Sequence, residues 1–236
     1  MNSEISILLI TTLSIGVVHT ALGPDHYIPF IALSKANNWS YSKTSFITLI
    51  CGLGHVLSSI FIGLAGIYIG VNVFSLDALE SVRGNIAGWL LIIFGLLYTI
   101  WGIKQSLKNK THTHIHCHSD GTVHTHTHNH KNEHSHIHIK KNKNLTPWLI
   151  FIIFVFGPCE PLIPLIVYPA VNLGTMAVIM VAVVFSVVTI AVMEIIVFLG
   201  IYGINFIPAH KLQIHIHTIA GLSILLCGIG VQFLGL

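Results

Sequence analysis

Three histidines and an aspartate stand where their types and spacing could hold a metal ion. His19, Asp25 and His26 fall within HTALGPDH (19–26), and His55 within CGLGHVLSS (51–59). Neutral imidazoles and a carboxylate suit divalent transition metals such as Ni²⁺, Co²⁺ or Zn²⁺. His19 and His26 are two helical turns apart, so an unbroken helix would carry them on one face. Taken singly, each histidine reads better as a buried hydrogen-bonded side chain. Three of them with an aspartate, all in apolar surroundings, point to metal contact at His19, Asp25, His26 and His55.

A second group follows the Gly-Pro of GPCEPLIPL (157–165). Cys159 reads equally as a thiolate ligand or as a small buried hydrophobe. Glu160, an acid beside a helix break, reads as part of a cation pathway or a proton relay. The densest histidine run is THTHIHCH (111–118), HTHTHNH (124–130) and HSHIH (134–138). It contains His112, His114, His116, His118, His124, His126, His128, His130, His134, His136 and His138, eleven of the 17 histidines. Such tracts offer many weak, interchangeable sites for divalent metals, an accessory to a transporter rather than its core.

The elements that must position these residues are membrane helices. Of the 236 residues, 53% are hydrophobic and 8% are charged. An ordinary soluble domain carries about a quarter charged residues. Apolar blocks long enough to cross a bilayer lie at 5–33, 44–71, 84–104, 147–170, 174–200 and 216–235. The expected class is an all-α membrane protein with six transmembrane helices. Glu4 and the lack of a positive n-region predict that no signal peptide is cleaved. Cys51, Cys159 and Cys227 fall in apolar segments and Cys117 in a polar loop, which is no disulfide framework.

Lysines crowd the connections 34–43, 105–146 and 201–215, whereas the opposite side has only Arg83. The positive-inside rule places the lysine-rich side in the cytoplasm and both termini outside a cell (cytoplasmic) membrane. The net charge of +3 is then a matter of topology and implies no nucleic-acid partner. The expected partners are the lipid bilayer and a divalent metal ion, and assembly with further copies of the chain is left open.

The chain divides into a first three-span repeat (1–104), a disordered His-rich cytoplasmic loop (105–146) and a second three-span repeat (147–236). GPDHYIPF (23–30) and GPCEPLIPL (157–165) open the two halves alike. An odd number of spans per half makes the repeats inverted, the plan of many secondary transporters. Pro24 lacks an N–H and Gly23 adds freedom, so the first span should break there. Pro29 should repeat the interruption. Gly157-Pro158, Pro161 and Pro164 should break the fourth. Irregular backbone at membrane depth must line a cavity or be buried in protein.

HTALGPDH, GLGHVLSS and FGPCEPLIPL resemble the signature regions of the nickel/cobalt transporter superfamily, especially its six-span branch. That branch includes nickel/cobalt efflux proteins and urease-accessory-type or sulfite-exporter-like membrane proteins. The resemblance covers all six spans in layout and about 25 residues in motif. It implies a secondary transporter, not an enzyme, that moves Ni²⁺, Co²⁺ or Zn²⁺ as substrate, outward by preference, with no permanently bound cofactor. It maps the metal ligands onto His19, Asp25, His26 and His55. Two other readings compete. GPC also resembles membrane carriers that pass reducing equivalents between thiols, which need two facing cysteines. The first repeat has Asp25 where the second has Cys159, so Cys51 would have to serve. The third reading is a sulfite-type anion or organosulfur exporter. Asp25, Glu160 and Glu194, with no membrane-embedded Lys or Arg, argue against it.

Overall fold

Gly-Pro pairs decide where the helices stop. In the computed structural model, which describes residues 3–70, 73–108, 112–117, 123–128, 145–205 and 215–234, helix α1 (Ser3–Leu22) ends at Gly23. Pro24 opens a 3₁₀ turn (Pro24–His26), and α2 (Ile28–Ala36) then resumes. Likewise α5 (Thr146–Phe156) ends ahead of Gly157-Pro158, and α6 (Leu162–Asn172) follows. The other expected breakers do not break anything. Pro29 sits in the first turn of α2, Pro161 caps α6, and Pro164 lies in its first turn. At a helix start the missing N–H would have had no helical partner, so proline is tolerated there.

Longer helices fill the rest. They are α3 (Tyr41–Ile69), α4 (Val73–Lys108), α7 (Thr175–Asn205) and α8 (Ile216–Leu234). Ser40 caps α3 by accepting from the Lys43 N–H at 3.3 Å, and Gly70, at φ 74°, ends it in the left-handed region where glycine meets no steric penalty. Among the described residues, five helices are long and apolar enough to cross a bilayer: α1, α3, α4, α7 and α8. Helices α5 and α6 have 11 residues each, about 17 Å, and neither crosses a ~30 Å core alone. The molecule is thus a multi-pass, helical membrane protein. Its outward surface agrees, with Ile10, Phe61, Leu97, Val187 and Leu199 exposed as lipid requires.

Two buried clusters order the interior. One gathers Phe30, Leu33, Cys51, Phe154, Met193 and Ile224; the other gathers Val56, Cys159, Leu162, Ile166, Val181 and Phe185. Helices α3 and α7 contribute to both and form the spine of the fold. Beside them α4 packs along α8 through glycines seven residues apart: Gly95 and Gly102 on α4, Gly221 and Gly228 on α8. A Cβ on Gly102 would lie 2.6 Å from the Thr218 nitrogen, and one on Gly228 would lie 2.8 Å from the Ile92 nitrogen. Small residues let membrane helices approach backbone to backbone, where dispersion contacts hold them.

Two sequence expectations need correction. The third span does not begin at 84: α4 starts at Val73, and its apolar stretch Ser75–Leu107 includes Glu80 and Arg83. Arg83 is therefore inside the protein, not in a connection. An acid and a base three residues apart on one helix face neutralise each other and so tolerate burial. Two short described stretches of the polar loop also depart from the expected disorder. His112–Cys117 (β1) and Val123–His128 (β2) pair as an antiparallel hairpin, with His112 opposite His128, His114 opposite His126 and His116 opposite His124. Thr113, Ile115, Thr125 and Thr127 supply β-branched residues at alternate positions, which favours extended pairing. His118, His130, His134, His136 and His138 lie outside the described residues.

The α4–α8 seam gives a direct test of the packing. In Gly95→Leu the new side chain meets the Leu225 backbone, so the variant should melt roughly 5–10 °C below the parent in detergent. Gly203→Ala, with no atom within 4 Å of the new carbon, should melt with the parent. Equal melting of Gly95→Leu and the parent would show that this seam is not a close contact.

Candidate functional site

The first helix break brings the predicted histidines together. His19 comes from the last turn of α1, His26 from the 3₁₀ turn, and His55 from the middle of α3. The His19 and His26 ring centroids are 5.0 Å apart, and those of His26 and His55 are 5.1 Å apart, both edge to face. One ring nitrogen from each lies within 4.8 Å of the others. His26 and His55 are each 2% exposed.

Hydrogen bonds fix which nitrogen is free. His26 Nδ1 lies 3.0 Å from Asp25 Oδ1 and 3.2 Å from the Gly23 carbonyl oxygen. A carboxylate and a carbonyl can only accept, so Nδ1 carries the hydrogen. His55 Nδ1 likewise donates to the Phe154 carbonyl at 3.3 Å. The Nε2 atoms of His19, His26 and His55 are all buried without a hydrogen-bond partner. Each such group costs about 1–3 kcal/mol if nothing satisfies it. Glycine is required at both breaks by close approach. A Cβ on Gly23 would come 2.5 Å from His26 Nδ1, and one on Gly157 would come 3.0 Å from His55 Nδ1.

The structure does not bring every predicted residue into this cluster. Asp25 holds the far side of His26 rather than joining the converging nitrogens. Cys159 is fully buried in the neighbouring apolar cluster. Glu160 is exposed, not a buried acid, and lines an open cavity of about 540 Å³ with His19, Asp25, His26, Asn85 and Gln232. Its position right after the break, at the surface of α6's entry, leaves the carboxylate free to face that space.

Glu80 and Arg83 are the residues that sequence reasoning missed. They form an ion pair on α4 that clamps the second break. Arg83 Nη2 donates to the Val155 carbonyl at 2.8 Å and the Gly157 carbonyl at 3.3 Å. Glu80 Oε2 accepts the Cys159 N–H at 3.0 Å and the Ser59 hydroxyl at 3.2 Å. Ser58 Oγ accepts from Arg83 at 2.7 Å. The spacing of an acid and a base at i, i+3, flanked by apolar residues, was the available signal.

This clamp makes a prediction. Arg83→Met leaves the buried Glu80 carboxylate without its counter-charge and the Val155 and Gly157 carbonyls without their Arg83 donor, which should cost about 3–5 kcal/mol of stability. Arg83→Lys keeps the charge but not the planar fork, so it should recover only part of that. Thermal melting of the purified protein in detergent measures both. Parent-like melting of Arg83→Met would show that the clamp contributes nothing.

The family model described as cytochrome c biogenesis protein transmembrane region matches residues 28–230. No curated protein and no solved structure matches the chain. The family match overturns the resemblance to the nickel/cobalt transporter superfamily, and with it the transport of nickel, cobalt or another divalent metal that the resemblance implied. HTALGPDH, the motif that carried most of that resemblance, ends at His26 and so lies ahead of the matched region, while GLGHVLSS and GPCEPLIPL lie inside it. The match extends from α2 into α8, and the chain belongs to the family of cytochrome c biogenesis protein transmembrane regions.

Proposed function

We propose that this protein passes reducing equivalents across the membrane by thiol–disulfide exchange, with Cys51 and Cys159 as the exchanging pair. The observation that carries the reading is the family match over residues 28–230, a thiol–disulfide transporter type of family whose matched region includes both cysteines. The geometry adds support. Both thiols are free and buried, Cys159 directly follows the Gly157-Pro158 break, and Cys51 lies one turn before His55, whose ring abuts Gly157.

The exchange balances as follows. In the oxidised protein, Cys51 and Cys159 share a disulfide. A thiolate of a cytoplasmic dithiol attacks one sulfur, forming a mixed disulfide and releasing the other cysteine. The donor's second thiolate then displaces the protein, so the donor leaves as a disulfide and the protein holds two thiols. On the outer side one protein thiolate attacks an acceptor disulfide, and the other cysteine resolves the mixed species. Two electrons and two protons pass in each cycle.

The pair must move to do this. Cys51 and Cys159 sit in different clusters, and Cys51 is about 7.5 Å along α3 from Val56, which shares the cluster of Cys159. A disulfide needs Cα atoms about 4.4–6.8 Å apart. Motion of α5 and α6 about the Gly157-Pro158 break closes the gap. In this reading α5 and α6 together make the sixth crossing. The halves on either side of the hairpin are inverted three-span repeats, and the lysine-rich connections face the cytoplasm. The embedded Arg83 does not revive anion export, since its guanidinium is committed to Glu80 and two carbonyls.

The test uses membrane vesicles that hold a reduced dithiol protein inside and an impermeant disulfide probe outside. The parent chain should reduce the probe. Cys51→Ser and Cys159→Ser should each fall to the rate of vesicles lacking the chain, and Cys227→Ser should keep most of the activity. Undiminished transfer in either Cys51→Ser or Cys159→Ser would sink the assignment.

A further inference from the structure

We propose that His19, His26 and His55 form a built site for one resident divalent transition-metal ion, best matched by Zn²⁺, held through their three Nε2 atoms. The ion is a fixed part of the protein and not its cargo. The proposal is independent of the thiol reading, which needs no metal.

Four observations carry it. Three imidazoles from three separate elements converge, with one ring nitrogen of each within 4.8 Å of the others. All three Nε2 atoms are buried and lack any hydrogen-bond partner. The opposite nitrogens of His26 and His55 are held by Asp25, the Gly23 carbonyl and the Phe154 carbonyl, which sets the tautomer that leaves Nε2 with its lone pair. Finally, His19 and His26 border the 540 Å³ cavity, so a fourth position can open to water.

The donor set selects the class of ion. Three neutral imidazoles suit borderline metals, and hard cations such as Mg²⁺ or Ca²⁺ need oxygen ligands. Zn²⁺ with three histidines and one open position is four-coordinate, at about 2.0–2.1 Å per nitrogen. The three rings need to close by roughly an ångström to reach it, a matter of small side-chain rotations. Asp25 plays the outer-sphere part that carboxylates commonly play behind a metal-bound histidine. Such a centre ties α1 and the first break to α3, on the face where α3 meets Gly157 of the second break. It would fix the first break against α3 and leave the second break free to move.

The histidine-rich segment would mask the measurement, so the parent for the test is the full-length chain with His→Asn at the eleven positions from His112 to His138. This chain, purified in detergent with Zn²⁺ and dialysed, should retain one zinc per molecule by elemental analysis, and Zn²⁺ should raise its melting temperature. His26→Ala and His55→Ala in that background should retain none and show no such rise. Asp25→Asn should bind Zn²⁺ about 10–100-fold more weakly. Cys159→Ser should be unaffected. His55→Gln preserves bulk and a donor toward Phe154, so it separates misfolding from ligand loss: it should melt like the zinc-free parent and hold no zinc. A parent that keeps no zinc, or a His55→Gln variant that keeps a full equivalent, would overturn the site.

Discussion

The rest of the structure depends on how interrupted backbone is satisfied inside a protein surrounded by lipid. Every break in a membrane helix frees carbonyl and N–H groups that water cannot reach, each costing several kcal/mol if left alone. The two breaks solve this in different ways. At Gly23-Pro24 the chain satisfies itself. The Gly23 N–H returns to His19, its carbonyl takes both the His26 N–H and His26 Nδ1, and Asp25 steadies the same ring. At Gly157-Pro158 the partners come from another helix. Arg83 of α4 takes two carbonyls, and Glu80 takes the Cys159 N–H. A buried ion pair is weak evidence of net stability. Here its use is specific, because each charged group also bonds backbone at the second break.

That difference bears on which break can move. The first is closed by local bonds and by a cluster of rings. The second is held through side chains of α4, with Ser58 and Ser59 of α3 sharing the load. Helices α5 and α6 are short, pack against the α3–α7 spine, and carry Cys159 at their junction. A few exchanged hydrogen bonds would let this pair shift along α3 while α4 stays locked to α8 by its glycine seam. The proposed thiol chemistry falls at the break held by side chains of another helix, and the imidazoles fall at the break closed by local bonds.

Much of this was legible in the sequence, for identifiable reasons. Gly-Pro within an apolar run has a strong local consequence, so the ends of α1 and α5 could be read directly. The meeting of His19, His26 and His55 followed from spacing and from the cost of lone polar groups among apolar ones. Arg83 was misread because charge counting treats an arginine near a span's edge as a connection, and only its pairing with Glu80 makes burial tolerable. The glycines of α4 and α8 were visible, but which helix they face is a tertiary fact. The β-hairpin was hidden by polarity, since a histidine-rich stretch reads as solvated whether or not its alternate threonines pair. Family assignment went astray for a different reason. The histidine motif dominated the resemblance, yet it precedes the matched region, and the cysteines inside that region carry little pattern of their own.

The central claim is that Cys51 and Cys159 are one redox couple, although they occupy different clusters in the structure described. Its most direct test is peptide mapping of the intact chain under non-reducing conditions, after free thiols are blocked with an alkylating agent. Protein first exposed to an excess of a small disulfide should yield a linked pair of peptides containing residues 51 and 159, and protein exposed to a dithiol should yield both cysteines alkylated. A link between Cys51 and Cys227, or two alkylated cysteines at 51 and 159 under both conditions, would contradict the account.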